Sequence, residues 1–178
     1  MEDREISMRR KQFFTIFVMI LLAALTRFLP HLPNLTPIGA IALFSGAKLK
    51  GINRYLLPLI IMLLTDAIIG FHNTMVFVYE SFLIITLLGA ILQSKTTYLR
   101  IFGSALIASI IFFLITNFGV WLVGPMYPKT IAGLVQTYVM GIPFFRNTLL
   151  GDLIYTPVLF YGYSFISNKI MKLRNNYA

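Results

Sequence analysis

The fold class this sequence predicts is an all-α membrane protein: one bundle of six transmembrane helices, with the N- and C-termini cytoplasmic. Three observations carry that expectation. Mean hydropathy is +0.81, and 58% of the 178 residues are hydrophobic against 12% charged, about half the charge of a soluble domain. The apolar residues gather into runs that approach the roughly 20 needed to cross a bilayer. Lysine and arginine fall between those runs on alternate sides. The length allows a single transmembrane domain, residues 1–178, with no separate soluble unit.

Taken in order, the first run, about 12–29, follows a basic tail holding Arg4, Arg9, Arg10 and Lys11. It ends in "TRFLPHLPNLTP", where Pro30, Pro33 and Pro37 stiffen the connection to the next run. The second run, about 37–48, reads "PIGAIALFSGAK" and is short for a span. Its Ala42 and Gly46 form a small-xxx-small pair, which suits either packing within the bundle or docking of another membrane protein. The remaining runs are about 55–71, 74–93, 101–123 and 148–167.

Charge placement supports the short second span, because cytoplasmic loops collect Lys and Arg. With six spans and the N-terminus inside, the inner side holds the four tail residues plus Lys48, Lys50, Arg54, Lys95, Arg100, Lys169, Lys172 and Arg174. Arg27, Lys129 and Arg146 lie outside, so the split is 12 to 3. Were the second run not to cross, it would be 6 inside against 9 outside. The net charge of +9 therefore belongs to membrane topology, and no nucleic-acid partner is expected. Residues 1–25 also resemble a cleavable signal peptide, but cleavage would leave an odd number of spans and spoil the balance. "NLT" at 34–36 matches a glycosylation sequon, a short and weak pattern.

The acids point to a site. Glu2, Asp3 and Glu5 lie in the tail, whereas Asp66, Glu80 and Asp152 fall inside predicted spans. A carboxylate at mid-membrane costs on the order of 3 kcal/mol on insertion scales, so it has a partner or a task. Counted from the helix ends at 1.5 Å per residue, all three lie roughly 6–9 Å below the outer boundary, as does Asn117. Helical phase places Asp66, Gly70 and Asn73 on one stripe, Asn117 and Trp121 on a second, and Thr148, Asp152 and Tyr155 on a third. The expected site is a polar cup at the outer face. Asp66, Asn117, Arg146, Asn147 and Asp152 form its core, completed or gated by Arg27, His31, Asn34, His72 and Glu80. Trp121 and Tyr127 are placed to stack on a ring.

Other readings compete. Tyr127, Lys129 and Tyr138 suit interfacial anchoring. Arg27 with Asp66, and Arg146 with Asp152, suit structural clasps. His31 and His72 sit in separate loops without metal-ligand spacing, so no metal or other cofactor is expected. There is no cysteine, and no GxxxxGK[ST], GxSxG or HExxH motif. An acid dyad of Asp66 and Asp152 would need a shared proton; the chain is expected not to be an enzyme.

The blocks "RFLPHLPNLTPIGAIALFSGA", "LLTDAIIGFH", "TNFGVWL…YPKTIAGL" and "GIPFFRNTLLGD" resemble an uncharacterised family of small bacterial membrane proteins catalogued as candidate transporters. The architecture is similar to the S components of energy-coupling factor vitamin transporters and to their stand-alone cobalamin-uptake relatives. That resemblance implies a ligand held at the extracellular side, and a docking helix (here Ala42 and Gly46) for a transmembrane coupling subunit driven by ATPases. The cobalamin relatives are expected to carry a cysteine toward cobalt; this chain has none, and His31 or His72 would stand in. The expected function is uptake of a small, vitamin-like nutrient across the cell membrane. The alternative is a non-transport scaffold of an envelope or cell-shape complex, with paired acids and no cavity.

Overall fold

The computed structural model describes residues 2–92 and 97–176. Gln93, at the end of the fourth predicted run, and Lys95 lie outside them, as do the side chains of Glu2, Asp3, Arg4, Glu5 and Arg174. Among the described residues there are six α-helices and no strand: α1 (Glu2–Leu25, continued by a 3₁₀ turn Thr26–Phe28), α2 (Ile38–Lys48), α3 (Asn53–Ile69), α4 (Met75–Ile91), α5 (Tyr98–Val123) and α6 (Ile131–Asn176). Three stretches are long and apolar enough to cross a membrane: Arg9–Phe28, Tyr98–Val123 and Ile131–Lys169. Large apolar side chains face outward along them, Leu99 and Ile131 being 84% and 83% exposed. Exposed apolar surface on that scale fits lipid, not water; this is a membrane protein.

Helices α2 to α5 lie within a few residues of the predicted runs. Two differ. The first helix absorbs the basic tail, and α6 starts at Ile131 instead of 148, running as one helix through Pro143 and Pro157. Residues 131–147 are therefore not a loop. Helix α6 returns alongside α5, with Phe113 against Phe145 (5.0 Å between ring centroids) and, further along, Tyr98 against Tyr161 (5.1 Å). Helix α4 is likewise antiparallel to α5, since Phe82 pairs with Phe112 and Phe77 with Phe118.

Helix α2 is the hub. Nine of its eleven residues are buried, and it touches each of the other five helices. Burial on all sides explains why ten of its eleven residues are uncharged and why several are small, since small residues let neighbours approach closely. Gly46 and Gly89 show how tight the fit is. A Cβ on Gly46 would lie 2.0 Å from the Thr86 carbonyl oxygen of α4, and one on Gly89 2.1 Å from that of Leu43. The Ala42/Gly46 strip, a candidate docking face for a partner, is thus turned inward and filled by α4. A subunit outside the bundle has no access to it.

At 1.5 Å per residue, α2 covers about 16 Å, half of a bilayer core. Its first residues lie beside Asp152 of α6, whose partner Ser109 is near the middle of α5. Its last, Lys48, sits over the rings of Phe160 and Tyr163 at 5.4 Å each. Helix α2 thus runs parallel to α6 through one half of the molecule only. The other half, towards the connections 29–37, 70–74 and 124–130, is left open in the middle. We call that the mouth end.

Candidate functional site

The space above the head of α2 is an open cavity of about 410 Å³. Helices α3 to α6 and the connections at the mouth end surround it, with Ile38, Gly39 and Asp152 at the α2 end. Two buried carboxylates line it, and they are held in different ways.

Asp66, near the C-terminus of α3, is clasped. Arg27 reaches across from the end of α1, placing Nη2 2.7 Å from Asp66 Oδ1. The other guanidinium nitrogen, Nη1, donates to the Thr65 hydroxyl. The Tyr79 hydroxyl of α4 donates to Asp66 Oδ2 at 2.9 Å. Both carboxylate oxygens are therefore occupied, and three helices are tied by one ion pair and one tyrosine hydrogen bond.

Asp152, on α6, is only 1% exposed. Ser109 of α5 donates to its Oδ2 at 2.6 Å, a shorter contact than the 3.1 Å from the same hydroxyl to the Ala105 carbonyl. A hydroxyl carries one proton, and the charge-assisted bond takes it. The Ala40 amide at the head of α2 also lies beside this carboxylate. Gly39 makes this approach possible, because a Cβ there would fall 2.5 Å from Oδ1. Asp152 Oδ1 itself has no hydrogen-bond partner among the described residues.

The structure also fixes the depth of the two acids. Asp66 lies one turn from the C-terminal Gly70 of α3, about as shallow as its position in the run indicates. Asp152 is level with Ser109, fourteen residues from Val123 at the end of α5, or about 21 Å at helical rise. The 6–9 Å expected for Asp152 is overturned, because α6 begins a full seventeen residues earlier than supposed. The proposed stripe on α3 is shortened too: the helix ends at Ile69, with Gly70 at φ 118°, so Asn73 leaves it.

Seven of the twelve predicted ligand-site residues line the cavity. Asp66, Asp152 and Arg27 carry its formal charges, while Asn34, His72, Asn117 and Tyr127 surround the space above. Asn117 spends its amide N–H on the Phe113 carbonyl at 2.8 Å and presents its oxygen to Gly141. His72 shares a 2.9 Å bond with Thr74.

Five do not reach it. His31 donates from Nδ1 to the Leu29 carbonyl at 2.6 Å in its own exposed turn. Glu80 is exposed on the outward stripe of α4 with Val76, Leu83, Ile84 and Leu87. The Trp121 indole donates to the Pro128 carbonyl at 3.0 Å. Lys129 closes the same turn, bonding the Trp121 carbonyl and, at 2.6 Å, that of Gly124, where a cation also suits the end of α5. Arg146 is exposed, and Asp152 has no bond to it. Asn147 instead ties the proline loop to α6, donating to the Pro33 carbonyl at 2.9 Å.

Sequence reasoning missed Ser109, Tyr79 and Gly39, which set the state of the two acids, and the stacked pair Phe82 and Phe112 (5.7 Å, 21°) in the cavity wall. Ser109 carried a usable signal: it is a hydroxyl at the centre of the most apolar long run.

A family model described as a family of unknown function (DUF6580) matches residues 7–173. No curated protein and no solved structure matches.

Proposed function

The chain belongs to the DUF6580 family, and from its geometry we propose that it is a solute-uptake protein of the cell membrane, similar to the substrate-binding component of an energy-coupled transporter. In this reading the chain crosses six times, with α2 and the proline loop together making the second crossing, and both termini lie in the cytoplasm. The mouth end faces outward and admits a small, vitamin-like nutrient. The lysines and arginines of the opposite end follow the usual cytoplasmic bias.

One observation carries the proposal. A membrane-buried carboxylate lines a cavity, and one of its oxygens has no hydrogen-bond partner among the described residues. Buried acceptors are normally satisfied, and leaving one open is costly unless something fills it. The cavity volume falls in the range of small-molecule sites, and its mostly apolar wall with a few convergent polar groups matches their usual make-up. The scaffold reading accounts for the Arg27–Asp66–Tyr79 clasp but assigns no role to the open cavity or to Asp152.

Coupling to a separate membrane subunit and ATPases stays part of the proposal, but its docking face must lie elsewhere than Ala42 and Gly46. The test is a thermal-shift screen of the purified protein against vitamins, nucleosides and amino acids. A ligand at a hundred times its dissociation constant stabilises a two-state fold by about 2.7 kcal/mol. One strong hit is the expected result. Silence across the panel, with the protein folded, would return the weight to the scaffold.

A further inference from the structure

Resting on the reading of the cavity as a ligand site, we infer that its ligand is an organic monocation, with a charged N–H group at the Asp152 carboxylate and a flat apolar body against Phe82, Phe112 and Phe144. Charge counting comes first. With His72 counted as neutral, the formal charges among the described residues lining the cavity are Arg27, Asp66 and Asp152. Arg27 and Asp66 neutralise each other at 2.7 Å, which leaves one negative charge. An anionic ligand finds no free cation there, since both terminal nitrogens of Arg27 are engaged by α3.

Geometry then selects the donor. Ser109 holds Asp152 from one side, and Oδ1, buried beside Gly39, has no hydrogen-bond partner among the described residues. A buried acceptor of that kind is best matched by a charged N–H. An inorganic cation is a poor match, because a hard ion such as calcium gathers six to eight oxygen ligands. The cavity wall includes Ile38, Phe112 and Phe144, and the hydroxyl of Thr148, one helical turn before Asp152, donates to the Phe144 carbonyl at 3.1 Å. A carboxylate in a cavity that also carries aromatic rings favours an organic cation, through cation–π attraction.

The test uses shape-matched probes on the purified full chain in detergent: benzamidinium against benzamide, and 2-phenylethylammonium against 2-phenylethanol, with NaCl and KCl at equal ionic strength as controls. Affinities are read from concentration-dependent shifts in melting temperature. Each cation should bind about ten- to a hundredfold tighter than its neutral partner, and Asp152→Asn should abolish that preference. If the variant does not fold, the wild-type preference alone still decides the matter. Equal binding within each pair overturns the inference, and so does stabilisation by sodium or potassium that the organic cations do not add to. If neutral or anionic members of the nutrient panel bind while all cations fail, the charge class is wrong and the uptake reading stands. If no compound of any charge binds, the uptake reading itself has failed.

Discussion

Asp66 and Asp152 look alike in the sequence, each a lone acid in an apolar run, and both are buried. Their surroundings separate them. Asp66 has a guanidinium on one oxygen and a tyrosine hydroxyl on the other; it joins α1, α3 and α4 and needs nothing further. Asp152 has a serine on one oxygen and, among the described residues, no hydrogen-bond partner on the other. Burial of a carboxylate therefore does not by itself mark a binding site. The distinction lies in what remains unsatisfied once the protein's own donors are counted.

The largest effect should come from breaking the clasp. Arg27→Ala leaves Asp66 buried without its cation, and removing one partner of a buried pair typically costs about 3–5 kcal/mol. Chemical denaturation in detergent would show it; a loss near 1 kcal/mol would mean the pair is a surface feature. Next comes the other acid's support. Ser109→Ala removes a hydrogen bond to a charged group, worth about 1.5–3 kcal/mol, whereas Tyr79→Phe should cost less because Asp66 keeps Arg27. Equal losses would erase the asymmetry between the two acids. Gly39→Ala should cost about 1–3 kcal/mol, as over-packing does, and weaken ligand binding because the new methyl displaces Asp152. Arg146→Ala should change stability by no more than about 0.5 kcal/mol and leave binding unaltered, since that side chain is exposed and makes no bond to Asp152.

Much of the bundle was legible in the sequence, and the failures have physical causes. Runs bounded by Gly, Pro and charge marked α2 to α5 closely. The start of α6 was hidden because 131–147 holds Gly133, Thr137, Gly141 and Pro143, which lower hydropathy and read as loop. Thr137 and Gly141 are polar or small because they line the cavity. The feature that makes the site thus disguised the helix carrying it, and with it the depth of Asp152. Glu80 was misplaced for a related reason. In a helix apolar on both its lipid and its core faces, hydrophobic pattern does not say which way a residue turns. Phase would have helped: Glu80 lies opposite the buried stripe Ser81, Phe82, Ile85 and Gly89. The cluster of arginine, histidine and prolines after the first run was legible as a rigid corner, and the structure adds that Asn147 pins it to α6.

The most direct measurement compares Asp66→Asn with Asp152→Asn, recording for each the unfolding midpoint and its shift with a ligand found in the nutrient panel. The account predicts that Asp66→Asn strands Arg27 and loses about 3–5 kcal/mol, while Asp152→Asn folds with stability close to that of the parent and no longer responds to the ligand. An Asp152→Asn protein that keeps the full ligand response, or that unfolds as easily as Asp66→Asn, would contradict it.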